Sequence, residues 1–136
     1  MKKALIAYVA TLLTFLLLDG LWLGVLMTPT YRELLGPLML EKPLLVPAAV
    51  FYCLYVFGCV AFVVLPALNW QRAVRMGALL GLVAYGTYDL TNWATLSGWS
   101  VQVTFMDWAW GTFATALACT VGFVVAGRFG RSILHR

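Results

Sequence analysis

Asp19, Asp89 and Asp107 are three of the chain's five acidic side chains, and each lies inside a long apolar run. Each is followed three residues later by a side chain carrying an N–H donor: Trp22 after Asp19, Asn92 after Asp89 and Trp110 after Asp107. In a helix that spacing puts acid and donor on one face, and an indole or amide N–H is a partner that a buried carboxylate can use. Tyr85 and Trp93 stand one turn to either side of Asp89, Tyr88 precedes it directly, and Thr104 and Gly111 flank Asp107. Two chemistries suit such a set. A protonated Asp in an apolar pocket is a general acid, and an ionised neighbour takes a proton or steadies a carbocation. Acids beside Trp and Tyr faces also form a cage for an organic ammonium, because aromatic rings attract cations by about 0.5–2 kcal/mol. The catalytic candidates are therefore Asp19, Asp89 and Asp107. As ligand contacts they are joined by Trp22, Tyr85, Tyr88, Asn92, Trp93 and Trp110.

The elements that must position these residues follow from composition. The chain is 63% hydrophobic and 10% charged, where a soluble domain carries about 25% charged residues. Apolar stretches at 4–27, 45–68, 73–96 and 103–127 reach the roughly 20 residues needed to cross a bilayer. Backbone polar groups in lipid must be satisfied within their own segment, which makes these helices and excludes an open sheet. The short alternating segments of a barrel are absent. The expected fold is all-α: an integral membrane four-helix bundle forming a single transmembrane domain across residues 1–136.

Charge supplies the expected topology. Lys2 and Lys3 precede the first span, Arg72 and Arg75 separate the second and third, and Arg128, Arg131 and Arg136 follow the fourth. The remaining connections hold only Arg32 and Lys42, balanced by Glu33 and Glu41, and then the uncharged "SGWSVQ". Basic residues collect on the cytoplasmic side, so both termini are expected there, in a multi-pass protein of the bacterial inner membrane. Helices one and three then run outward and helix four inward. At 1.5 Å per residue all three acids fall roughly 10 Å below the outer boundary. No nucleic-acid partner is implied by the net charge, which the topology explains.

The one basic residue inside an expected span is Arg75, at the inner end of the third and far from the acids, so the acids lack an ion-pair partner at their depth. A charged Asp deep in a bilayer costs on the order of 3 kcal/mol, and neighbouring like charges add to that. Either one or more acids carry a proton at neutral pH, or a cation sits among them. The bland alternative is a structural network in which Asp cross-links helices through Asn and Trp donors, at about 0.6 kcal/mol per contact. Trp99 is expected to be a boundary anchor.

Other chemistries are excluded. The lone histidine, His135, cannot make a bis-histidine haem site, and no helix carries H-E-x-x-H. Cys53, Cys59 and Cys119 form no C-x-x-C pair and are expected to be small packing residues. Ser97, Ser100 and Ser132 have no base nearby. No cofactor is implied, and no metal-ligand spacing is present. The N-terminal "MKK" and apolar run lack a small-x-small cleavage site, so they are kept as the first helix.

Between the first and second spans, Pro29 is expected to close helix one. Thr30 and Glu33 have capping-box spacing, which predicts a short interfacial helix that breaks near Gly36–Pro37, with an ordered apolar loop as the alternative. Small residues one turn apart predict close helix approach: Gly20 and Gly24, Gly77 and Gly81, and the stripe Gly111, Thr115, Ala118, Gly122 and Ala126.

"DGLWLG" at 19–24, "AAVFYCLYVFGCVAFVVLPAL" at 48–68, "GALLGLVAYGTYDLTNWATLSGW" at 77–99 and "DWAWGT" at 107–112 together resemble one bacterial family. It groups small four-span membrane proteins as a domain of unknown function. The resemblance covers essentially the whole chain, and "YGTYDLTNWATL" is quite specific to the family. It implies the four-helix fold and puts Asp19, Trp22, Tyr88, Asp89, Thr91, Asn92, Asp107, Trp110 and Gly111 at signature positions. It implies no activity.

Three functions fit. The first is proton-linked binding or transport of a small amphipathic or cationic ligand, where transport would require a homodimer because the chain has no second half for alternating access. The second is a lipid- or isoprenoid-modifying enzyme using Asp acid–base chemistry. The third is an accessory subunit held to a membrane partner by its helix-packing stripes. In each the lipid bilayer is a partner.

Overall fold

A computed structural model of the chain describes residues 1–130, and these are helical with short connections and no strand. Arg131, Ser132, His135 and Arg136 lie outside the described residues. Helix α1 (Lys2–Leu21) runs into a π-helical turn (Trp22–Met27) and on into α2 (Thr28–Leu35), which a 3-10 turn (Gly36–Leu38) ends. Helix α3 (Leu45–Cys59) continues as a π segment (Val60–Val64), followed by α4 (Trp70–Thr95) and α5 (Val101–Phe129). The expected all-α bundle of four long helices is thus present.

The first expected boundary is corrected. Helix one does not stop at Pro29 but carries on to Leu35. The widened π turn resets the hydrogen-bond register, and Pro29 falls in the first turn of α2, where a missing N–H costs nothing. The Thr28 hydroxyl donates to the Leu23 carbonyl inside that turn. Thr30 and Glu33 therefore sit within a continuing helix, and α2 has no side-chain cap. The break comes where expected, at Gly36, whose φ of +42° suits a residue without Cβ.

The second span is also shorter than expected, ending at Val64 rather than residue 68. Pro66 cannot donate a backbone N–H to prolong it. Asn69 starts the next helix by accepting the Arg72 N–H at 2.8 Å, a side-chain cap that sets the start at Trp70. Ser100 does the same for α5, accepting from the Val103 N–H at 3.2 Å.

Three segments are long and apolar enough to cross a membrane: Lys2–Leu38, Leu45–Val64 and Val101–Phe129. Helix α4 is 26 residues long but less apolar than its companions, with Gln71, Arg72 and Arg75 at one end and Asp89, Thr91 and Asn92 near the other. It lies along α5, which also packs on α1. The seam between α4 and α5 is built on glycine. A Cβ at Gly81 would lie 2.6 Å from the Gly111 carbonyl oxygen and 2.9 Å from Thr112 Cα, and one at Gly77 would lie 3.0 Å from Ala116 Cα. Gly122 faces Thr11 of α1 equally closely. By contrast Gly20 and Gly24 face open space, so the close approach expected there does not occur. They lie at the end of α1 and in the π turn, where no helix backbone comes close.

Phe15, Val56, Cys59, Ala114, Ala118 and Cys119 form the centre of the core, while Cys53 is exposed. Large apolar side chains such as Leu17, Leu54, Phe62 and Val83 cover the outside, the surface a bilayer wets. Lys3 meets Gly130, so both ends of the described chain lie at one end of the bundle. The acids lie towards the other.

Candidate functional site

Asp19, near the end of α1, is 6% exposed and uses both carboxylate oxygens: Oδ2 accepts from Tyr52 Oη–H of α3 at 2.8 Å, and Oδ1 accepts from Trp110 Nε1–H of α5 at 3.0 Å. Asp107 of α5 accepts at Oδ1 from the Tyr31 hydroxyl of α2 at 3.2 Å. Tyr31 in turn accepts from Trp22 Nε1–H at 3.1 Å. The indoles of Trp22 and Trp110 lie parallel, with centroids 4.4 Å apart and 1° between planes. One face-to-face pair thus ties the two carboxylates together.

The expected pairing of each acid with the donor three residues on is corrected. Asp19 takes the indole of Trp110 rather than Trp22, Asp107 takes a phenol, and Asn92 gives no bond to Asp89. Side chains one helical turn apart project side by side, whereas a donor on a facing helix arrives end-on, the geometry a hydrogen bond prefers.

Asp89 of α4 is fully buried, and neither of its oxygens has a hydrogen-bond donor among the described residues. Asp107 stands across the α4–α5 seam, near enough for the charge on each carboxyl to act on the other. Two ionised carboxylates cannot bond each other, since both only accept. A single proton between them would serve both.

In front of these acids lies a cavity of about 480 Å³, within the usual range for small-molecule sites. Asp19 and Asp107 line it with Trp22, Tyr31, Phe51, Tyr52, Tyr55, Tyr85, Tyr88 and Trp99; Leu23, Leu35, Ala48, Ala84 and Val103 complete the wall. No basic side chain among the described residues lines it. The floor is made by Tyr55, bonded to the Thr115 hydroxyl at 2.8 Å, and Tyr85, edge-on to it at 6.0 Å. The Tyr85 ring occupies the place where any Cβ on Gly111 would stand, which is why that position needs glycine. Trp99, expected at the boundary, lies in the connection between α4 and α5 and also stands in the wall. It is edge-on to Tyr88 at 5.9 Å, and its Nε1–H donates to the Thr104 hydroxyl at 3.0 Å. The bend before α5 turns that indole inward.

Of the residues singled out by sequence, Asp19, Trp22, Tyr85, Tyr88 and Asp107 line the cavity, while Trp110 and Asp89 stand behind its acids. Asn92 and Trp93 are not in the wall; Trp93 is largely exposed and stacks edge-on with Phe105 on the outer face. Residues the sequence did not flag are Tyr31, Phe51, Tyr52 and Tyr55. Tyr52 and Tyr55 share a helix face in "FYCLY" but have no acid beside them in the chain, and Tyr31 reaches the site only because α2 continues past Pro29.

Chemically the arrangement is a carboxylate pair in an aromatic box. Asp107 Oδ2 has no protein donor among the described residues, which leaves an acceptor for a ligand cation. No group of three His, Cys, Asp and Glu is placed to hold a metal ion among the described residues. No curated protein and no solved structure matches the chain. Residues 4–124 match the family described as Predicted membrane protein (DUF2177). With nearly its whole length matched, carrying helices able to cross a bilayer, the chain belongs to that membrane-protein family.

Proposed function

We propose that the protein is a single-domain inner-membrane protein of bacteria, with both termini cytoplasmic, that binds a small amphipathic cation in exchange for a proton. The supporting observation is the cavity itself: among the described residues its wall has two carboxylates, eight aromatic side chains and no basic residue. A low-polarity box strengthens charge attraction, and the ring faces add to it. An anionic ligand would meet repulsion from Asp19 and Asp107. The proton link comes from Asp89 and Asp107. With no cation bound, a proton between them relieves their repulsion. An ammonium arriving at Asp107 supplies that positive charge and displaces it.

The sign follows from competition. Lower pH favours the proton-loaded state, so affinity for the cation rises with pH, by up to about tenfold per unit when one proton leaves. The test uses calorimetric titration of dodecyltrimethylammonium into protein in lipid nanodiscs, with empty nanodiscs subtracted, between about pH 5 and about pH 8. Binding that strengthens with pH and weakens at least about tenfold in Asp107→Asn is expected. Affinity that ignores both pH and Asp107 overturns the reading.

A further inference from the structure

The cavity is closed where its helices are tied together, and the ties between α3 and α4 are few. Helix α3 is tied to α1 by the Tyr52–Asp19 bond and by Tyr8, whose hydroxyl donates to the Cys53 carbonyl at 3.0 Å. Towards α4 it is held chiefly through its π segment, Val60–Val64. Above that, the Tyr55–Tyr85 edge contact bridges the two helices. Beyond this pair, Ala48 and Phe51 of α3 and Ala84 and Tyr88 of α4 all line the cavity. Phe51 is 44% exposed and Tyr88 56% exposed. A residue that both lines a cavity and reaches the outer surface, on each of two adjoining helices, marks a mouth.

The surroundings of that mouth are apolar. Val50 and Leu54 on α3 are exposed beside it, and the exposed Thr87 and Thr91 of α4 spend their hydroxyls on carbonyls of their own helix. Phe51 lies six residues inside the start of α3 and Tyr88 seven from the end of α4. At 1.5 Å per residue this is about 10 Å in from the helix ends, at the level of lipid chains rather than bulk water. The cavity behind holds carboxylates and, among the described residues, no cationic group, so a phosphate headgroup would find repulsion rather than a partner there.

Building on the cation-binding reading, we infer that the ligand is a phosphate-free, single-chain amphiphile with an ammonium head. It enters sideways from the bilayer between α3 and α4. The head rests at Asp107 among Tyr31, Tyr85 and Trp99, and the chain leaves through the gap between Phe51 and Tyr88 into lipid.

The experiment is photocrosslinking in nanodiscs with a dodecylammonium that carries a diazirine at the far end of its chain, followed by peptide mapping. Only labels lost in Asp107→Asn are counted, which removes chance contacts of lipid-borne probe with the outer surface. The expected labels fall on residues 48–54 of α3 and 84–91 of α4. A second probe, tetramethylammonium, is expected to bind at least about tenfold more weakly than the long-chain compound. Asp107-dependent labels confined to α2 or to residues 96–103 would point the chain at the aqueous end and overturn lateral entry while leaving cation binding intact. Tetramethylammonium binding as tightly as the long-chain compound would do the same. Absence of any Asp107-dependent label, together with no binding by either ammonium compound, would instead sink the cation reading itself.

Discussion

Asp19 shows how a carboxylate is kept in an apolar bundle: each oxygen has its own donor, and each donor comes from a different helix. Removing one such donor leaves a buried acceptor short of a partner, at about 1–3 kcal/mol in water-soluble proteins and nearer about 0.6 kcal/mol in membrane systems. Tyr52→Phe and Trp110→Phe should therefore each lower the melting temperature in detergent. In Asp19→Leu, which removes the acceptor as well, adding Tyr52→Phe should have little further effect; equal losses in both backgrounds would mean the bond carries no weight. Asp89 is the opposite case, buried with no donor. Asp89→Asn places an amide N–H opposite Asp107, so the variant should melt no lower than wild type. On the proposed proton link the pair can then no longer share a proton, so the pH dependence of cation binding should flatten. A pH profile unchanged in Asp89→Asn would remove Asp89 from the proton link.

At the scale of elements, glycines that look alike in the sequence behave differently according to what faces them. Gly81 has another helix's backbone closer than a Cβ could tolerate, whereas nothing lies within 4 Å of the place a Cβ would occupy at Gly20. Gly81→Leu must push α4 away from α5, and overpacking of this kind costs about 1–3 kcal/mol. Gly20→Ala should be neutral or stabilise by up to about 1 kcal/mol through helix propensity. Thermal melts of the pair decide it: equal effects would mean that the α4–α5 seam is not closely packed. The π turn at Trp22–Met27 matters in the same way. By carrying the helix past Pro29 it brings Tyr31 over the cavity and onto Asp107.

For the whole molecule, the meeting of Lys3 with Gly130 puts both described ends together, and Lys2, Arg72, Arg75 and Arg128 lie towards that end, with Arg32 and Lys42 towards the other. If the proposed orientation holds, Lys3→Cys and Arg128→Cys, each in a background with Cys53, Cys59 and Cys119 replaced by Ala, react with a membrane-impermeant maleimide only from the cytoplasmic side. Ser97→Cys reacts only from the other. Labelling of Lys3→Cys and Ser97→Cys from the same side would rule out an α4 that crosses the membrane.

The amino-acid sequence by itself determined the helical class, the run of elements and the three acids at one level. Apolar length and charge placement act locally along a chain, and lipid allows a spanning segment few other solutions. Helix ends were legible where a proline or glycine acts directly, as at Gly36, and misread where a neighbouring turn changed the register, as at Pro29. Tertiary structure decided which donor each acid receives, since Trp110, Tyr52 and Tyr31 come from 33 or more residues away for Asp19 and 76 for Asp107. It also decided that Trp99 faces inward and Trp93 outward, although both are tryptophans near the same helix end. The mouth between α3 and α4 belongs to no single stretch of sequence: it exists because two helices are joined at one end of their contact and diverge at the other.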